Sequence, residues 1–296
     1  MTISQKELTE LKPQKEFFIG IDSDGCVFDS MEPKQKEFFC PNVIRFFGLF
    51  PIARIARETW EFTNLYSQTR GVNRFLALLH AFDLLRERKE VFDRGFRVPD
   101  LSPLKEWTQK ESKLANPALE EYAKKVKDPV INLVLDWSQT INKEIGQWLK
   151  DLPPFPPVPE TLGKIGEYAD SIVVSQTPVE ALKREWNEHG ITKYVRIIAG
   201  QEYGTKTEHL ALAAVNKYPK DKILMIGDAP GDLKAARQNN VLFYPVIPGN
   251  EEESWKKLQN EGLDRFFNGT YAGEYENQLL NDFNKGLPEY PSWKII

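Results

Sequence analysis

Residues 17–21, Phe-Phe-Ile-Gly-Ile, run directly into Asp22-Ser23-Asp24-Gly25. A short apolar run bounded by turn residues predicts a strand buried on both faces, as in a parallel sheet. Two carboxylates two residues apart at the end of such a strand face one small space at its carboxyl edge. That edge is where open α/β sheets bind ligands. Close carboxylates repel unless a cation lies between them or one holds a proton. The stretch therefore suggests a metal site, a nucleophile with an acid/base partner, or both. An ordinary strand followed by an Asp-Gly turn accounts for it equally well.

The later chain supplies context. From about residue 40 to 150 apolar residues recur at helical spacing, as with Ile52, Ile55, Ala56, Thr59 and Phe62, or Phe75, Leu78, Leu79, Phe82 and Leu85. Four or more packed helices are predicted there, with Trp60, Trp137 and Trp148 in their core. Five prolines in residues 152–160 then make a stiff, non-helical linker. Beyond it strands are predicted at 171–175, 195–200, 222–228 and 241–249. Helices are predicted from Thr177, with Thr177 as N-cap and Pro178 first in the helix, over 206–218, and over 231–240. Strands alternating with helices predict a parallel α/β sheet. The expected architecture is a Rossmann-like α/β core, residues 1–32 and 153–296, with an all-helical domain, 33–152, inserted into it.

Composition narrows the classes of function. The 296 residues are 41% hydrophobic and 28% charged, with net charge -4. This fits a globular chain, and nothing overall points to nucleic acid. Residues 31–150 carry a formal +4 and the remainder -8. A basic segment and an acidic remainder would suit an anionic substrate and a metal, or simply two solvated surfaces. Two cysteines make no disulfide framework, so reduced, intracellular thiols are expected. The polar start has no apolar signal region and no run approaches the length of a membrane span. A cytoplasmic protein without a membrane partner is expected.

Three more places repeat the pattern of polar groups at a strand's carboxyl end. Ser175 ends a predicted strand, where a hydroxyl and free N–H groups suit an anion, or an ordinary helix cap. Lys206 heads a helix, against the dipole's preference for acids there; it could neutralise carboxylates and a bound phosphate, or lie solvated at the surface. Asp228 follows a strand, and Asp232 falls in the first turn of the next helix, where an acid also has a purely structural reason. Hard cations such as Mg²⁺ want carboxylate oxygens.

In this order, Asp22-Ser23-Asp24-Gly25, Val173-Val174-Ser175, Gly204-Thr205-Lys206 and Gly227-Asp228-Ala229-Pro230-Gly231-Asp232 resemble the motifs of the haloacid dehalogenase superfamily. The likeness extends over about 16–32 and 153–296. It includes Pro153–Ile165, which resembles the segment returning from an inserted C1-type cap, with Pro157 where the family usually has Gly. The resemblance implies a Mg²⁺-dependent phosphatase acting on a small phosphorylated metabolite. It implies Asp22 as nucleophile and Asp24 as acid/base. Mg²⁺ would be held by Asp22, the backbone carbonyl of Asp24, Asp228 and, directly or through water, Asp232. Ser175 and Lys206 would hold the phosphoryl oxygens. Asp24 sets aside the haloalkanoate dehalogenases and phosphonate hydrolases, which lack an acid there. Residues 69–74, Thr-Arg-Gly-Val-Asn-Arg, resemble a cap segment of β-phosphoglucomutase. By that resemblance Arg70 and Arg74 would hold a distal anion, and a phosphotransferase is the alternative. No histidine lies between Asp24 and His80, which lowers that reading. A non-catalytic binding protein on the same fold is a further alternative.

Overall fold

Phe17–Ile21 forms the central strand of a five-stranded, wholly parallel sheet in a computed structural model that describes residues 3–293. In chain order the strands are β1 (Phe17–Ile21), β2 (Ala169–Val174), β3 (Ile197–Ala199), β4 (Ile223–Gly227) and β5 (Leu242–Pro245). Their order across the sheet is β3-β2-β1-β4-β5. All five residues of β1, and of β4, are buried. Successive side chains point to opposite faces, which divides the apolar residues into two layers. Ile19, Ile21, Val173, Leu224 and Ile226 pack on one face. Phe18, Ile172, Val174, Met225 and Phe243 pack on the other. Burying each such side chain contributes about 1.5–3 kcal/mol relative to exposure.

The chain turns outward from β1 in both directions, so a topological switch point lies between β1 and β4. Ile21 pairs with Ile226, and the Asp22 N–H donates to the Ile226 carbonyl at 2.9 Å. This register places the residues after both strands side by side at the carboxyl edge.

The sheet belongs to one compact unit, residues up to Ser30 together with Asp151–Leu287. Here several elements are shorter than their sequence patterns predict. The helix that starts at Lys206 ends at Ala213, not at 218: Ala214 already leaves helical backbone, φ -126°, and Asn216 beyond it is left-handed, φ 71°. The strand predicted at 195–200 narrows to Ile197–Ala199. The helix predicted to start at Pro178 begins at Val179, and Thr177 is not its cap.

The second unit, Met31–Lys150 with the described residues from Pro288 on, is helical. Its longer helices are Ala53–Asn64, Arg74–Glu87, Ser102–Lys110, Asn116–Val126 and Pro129–Trp148. Trp60 and Trp137 are buried and meet edge to face, centroids 6.3 Å apart, with Phe39 and Phe47 against Trp137. Trp148 corrects the core expectation: it is 69% exposed. It is the last residue of a helix whose buried face stops at Ile141. Trp293 packs edge-on against Phe62 and lies under the Arg88 guanidinium. Among the described residues no helix is long and apolar enough to cross a membrane.

Candidate active site

Asp22, Asp228 and Asp232 each present a carboxylate oxygen within 4.8 Å of the others, and all three are buried. Asp22 follows β1 and Asp228 follows β4. Asp232 reaches the same point from the first turn of the helix Pro230–Asn239. That close approach depends on Gly227: a Cβ there would lie 2.4 Å from Asp232 Cβ and Cγ. Asp232 Oδ2 accepts from the Ala229 N–H at 3.1 Å, so the acid closes the helix start as well as facing the site.

Lys206 bridges this cluster. Its Nζ lies 2.8 Å from Asp22 Oδ2 and 2.6 Å from Asp232 Oδ1. The helix start that carries it is satisfied independently by a capping box between Thr205 and Glu208. The lysine is therefore free to face the carboxylates, not its own helix end. Burial, and then Asp232, push Asp22 up to about 7 despite Lys206. Burial raises Asp232 too, against Lys206 and with a contribution from Asp228. Burial works against the charge of Lys206, but Asp22 and Asp232 outweigh it and hold the ammonium protonated.

The charge count tests whether a cation suits the site. Three carboxylates against one ammonium leave two formal negative charges in a buried space. The donors are all oxygens, the set that hard divalent cations take. The residues present thus fit a divalent cation. Cys26 adds no soft ligand: burial, then Asp228 and Asp22, keep its thiol protonated.

Asp24 is bonded by two hydroxyls. Its Oδ1 accepts from Ser30 Oγ at 2.5 Å and its Oδ2 from Thr177 Oγ1 at 2.6 Å. Thr177 N–H in turn donates to Ser175 Oγ at 3.2 Å, which ties the end of β2 to the acid. Gly25, with φ 74°, makes the turn out of β1. Two indoles brace that turn. Trp186 Nε1 donates to Ser23 Oγ at 3.0 Å, and Trp255 Nε1 to the Cys26 carbonyl at 2.7 Å.

The structure thus joins the six core positions into two linked groups. Asp22, Lys206, Asp228 and Asp232 form one; Asp24 and Ser175 are connected through Thr177 in the other. Arg70 and Arg74 belong to the helical unit. Arg70 is 3% exposed and donates to the Leu65 carbonyl at 3.1 Å. Arg74 lies over the Phe39 ring and donates to Ser138 and Asn142. Burial lowers it to about 10. Sequence reasoning missed Ser30, Thr177, Trp186 and Trp255. For Thr177 the signal was present in the Ser-Gln-Thr-Pro order, but local capping preference points it at the helix.

The family model described as haloacid dehalogenase-like hydrolase matches residues 93–246. No curated protein matches the chain. Among solved structures, a haloacid dehalogenase-like family hydrolase from Streptococcus pneumoniae is 12% identical. The match covers 81% of this chain and 90% of that one, with a TM-score of 0.40. A HAD-superfamily hydrolase from Ehrlichia chaffeensis is 14% identical over 79% of this chain and 89% of that one, TM-score 0.37. A subfamily IA hydrolase from Geobacter sulfurreducens is 13% identical over 79% and 89%, TM-score 0.40.

Proposed function

The chain belongs to the haloacid dehalogenase-like hydrolases, and on that premise we propose that it is a Mg²⁺-dependent phosphatase of small phosphorylated metabolites, working through an aspartyl-phosphate on Asp22. The observation that carries this reading is the unlike surroundings of its two neighbouring aspartates. Asp22 is buried against Lys206 and two further carboxylates. Asp24 is held by hydroxyls at the edge of that cluster. Such a difference suits a nucleophile and a separate acid/base.

In the first half-reaction a carboxylate oxygen of Asp22 attacks phosphorus. The new O–P bond forms as the ester P–O bond breaks, and Asp24 gives its proton to the departing alcohol oxygen. The Ser23 N–H, 2.8 Å from Asp22 Oδ1, and Lys206 on Oδ2 orient the nucleophile. Lys206 and the Ser175 hydroxyl hold charge on the phosphoryl oxygens. In the second half-reaction Asp24 takes a proton from water, which attacks phosphorus; the Asp22 O–P bond breaks and inorganic phosphate leaves. Mg²⁺, held by Asp22, Asp228 and the backbone carbonyl of Asp24, would neutralise charge developing on the phosphoryl oxygens. Asp232, whose carboxylate faces the same buried space, would act on the cation directly or through water.

The helical unit, proposed as a cap over residues 33–152, would select the substrate. Arg74, whose hydrogen bonds go to the neutral Ser138 and Asn142, would hold a second anionic group of the substrate, as the resemblance of residues 69–74 implies. The test is hydrolysis of a panel of phosphorylated metabolites and an aryl phosphate with Mg²⁺. Turnover abolished by Asp22→Asn and by chelation is expected. Turnover that survives Asp22→Asn, or its complete absence from the unmodified protein, would contradict the reading.

A further inference from the structure

The hydroxyls on Asp24 come from two parts of the chain, Ser30 and Thr177, and Thr177 does not perform the task its position suggests. Thr177 stands just ahead of the helix Val179–Glu188, where a threonine ordinarily caps. That helix start is served from elsewhere: Glu202 Oε2 accepts from the Val179 N–H at 3.0 Å. The Thr177 hydroxyl instead turns to Asp24 Oδ2. Ser30, 1% exposed, donates to the other oxygen, Oδ1.

We propose that Thr177 and Ser30 are the positioning residues of Asp24, fixing the orientation of the acid/base relative to the phosphoryl site. The inference rests on the phosphatase reading above. The last torsion of an aspartate is broad and roughly two-fold. A donor on one oxygen alone leaves the carboxylate free to swing; donors on both oxygens restrict that swing.

The donors are themselves anchored. Thr177 N–H donates to Ser175 Oγ, and its carbonyl accepts from Gln201 N–H at 3.2 Å. Gly200 packs so closely that a Cβ there would lie 2.4 Å from the Thr177 carbonyl oxygen. Pro178 restricts Thr177 to extended backbone. Ser30 N–H donates to the Phe28 carbonyl at 2.8 Å, the same carbonyl that accepts from Gly25 N–H at 2.9 Å. Ser175 and Thr177 thus set the phosphoryl-binding hydroxyl and the acid/base in one register, two residues apart on one anchored loop.

A general acid matters most for a poor leaving group. The test compares kcat/KM for a simple alkyl phosphate and for p-nitrophenyl phosphate, in the unmodified protein and in Thr177→Val, Thr177→Ser and Ser30→Ala. Thr177→Val keeps the shape and removes the hydroxyl. Its kcat/KM for the alkyl phosphate is expected to fall by about 10–100-fold, the range for a misplaced catalytic group. For the aryl phosphate the fall is expected to stay within about threefold. Ser30→Ala is expected to act in the same direction, and Thr177→Ser to restore the alkyl rate. Melting curves identify any variant that fails through folding, and the Ser variant carries the result if Val does not fold. Equal losses on both leaving groups, a faster alkyl reaction, or no rescue by Ser would overturn the positioning role. If the unmodified protein hydrolyses phosphate esters but Thr177→Val is indistinguishable from it, only this inference fails. If the unmodified protein hydrolyses none, the phosphatase reading fails and this inference with it.

Discussion

Replacing Lys206 by methionine keeps most of the stem and removes the charge. The ammonium is in contact with Asp22 and Asp232, whose side chains are 6% and 0% exposed. Removing one partner of a buried ion pair costs about 3–5 kcal/mol, because the other partner is left charged and desolvated. In a unit of this size about 1 kcal/mol moves Tm by roughly 2–4 °C. At pH 8 with chelator, Lys206→Met is therefore expected to melt roughly 10 °C lower. The sign with pH follows from the carboxylates. Asp22, raised from 3.8 to about 7 in the folded protein, holds its proton more tightly there than in the unfolded chain. Its contribution to stability is fully present below about pH 4 and is lost as pH rises through about 7. Without Lys206 that window moves to higher pH, so the carboxylates of the variant are protonated at pH 5 and the penalty largely disappears. The assay is thermal unfolding at pH 5 and pH 8, with chelator and with Mg²⁺. A large loss at pH 8, a small one at pH 5 and partial recovery with Mg²⁺ are expected. Equal losses at both pH values would mean that the stem's packing, not the charge, is what Lys206 contributes.

Other residues give separate expectations. Gly227→Ala would place a Cβ against Asp232, displacing it from Lys206; hydrolysis is expected to drop by at least about 100-fold and the Mg²⁺-induced rise in Tm to vanish. His209 is buried, and burial, then Lys206, lower it to about 4. The unfolded chain takes up that proton first, so up to about 3 kcal/mol of stability is lost as pH falls from 6.5 to 4; His209→Leu should flatten the fall of Tm over that range. Trp186→Phe leaves the buried Ser23 hydroxyl without its indole donor, at about 1–3 kcal/mol. Adding Ser23→Ala to it should recover part of that loss, measured by denaturant unfolding of the two single variants and the double.

The sheet was legible because short apolar runs ending in polar residues have few other solutions, and β1 and β4 end where their side chains change character. Lys206 stood out because a lysine opposes the dipole at a helix start. Thr177 was misassigned for a physical reason: Thr-Pro before an amphipathic run is a strong local capping signal, and only tertiary structure brings Asp24 to one side of it and Glu202 to the other. Ser30 carried no signal, since its partner lies six residues back across a turn that Gly25 closes. Helical spacing placed Trp60 and Trp137 correctly but said nothing of where the packed face stops, hence Trp148. Arg70 and Arg74 form one pattern in sequence yet differ in the fold: Arg70 serves a backbone carbonyl, and Arg74 sits desolvated among neutral groups.

The central claim is that Asp22 becomes covalently phosphorylated. Mixing the protein with a ³²P-labelled substrate and Mg²⁺, quenching in acid within milliseconds and mapping the label by peptide sequencing measures this directly. Acid-stable, base-labile label on the peptide containing Asp22, appearing and decaying at rates that account for turnover, is the predicted result. Turnover without label on Asp22, or label on another residue, would contradict the account.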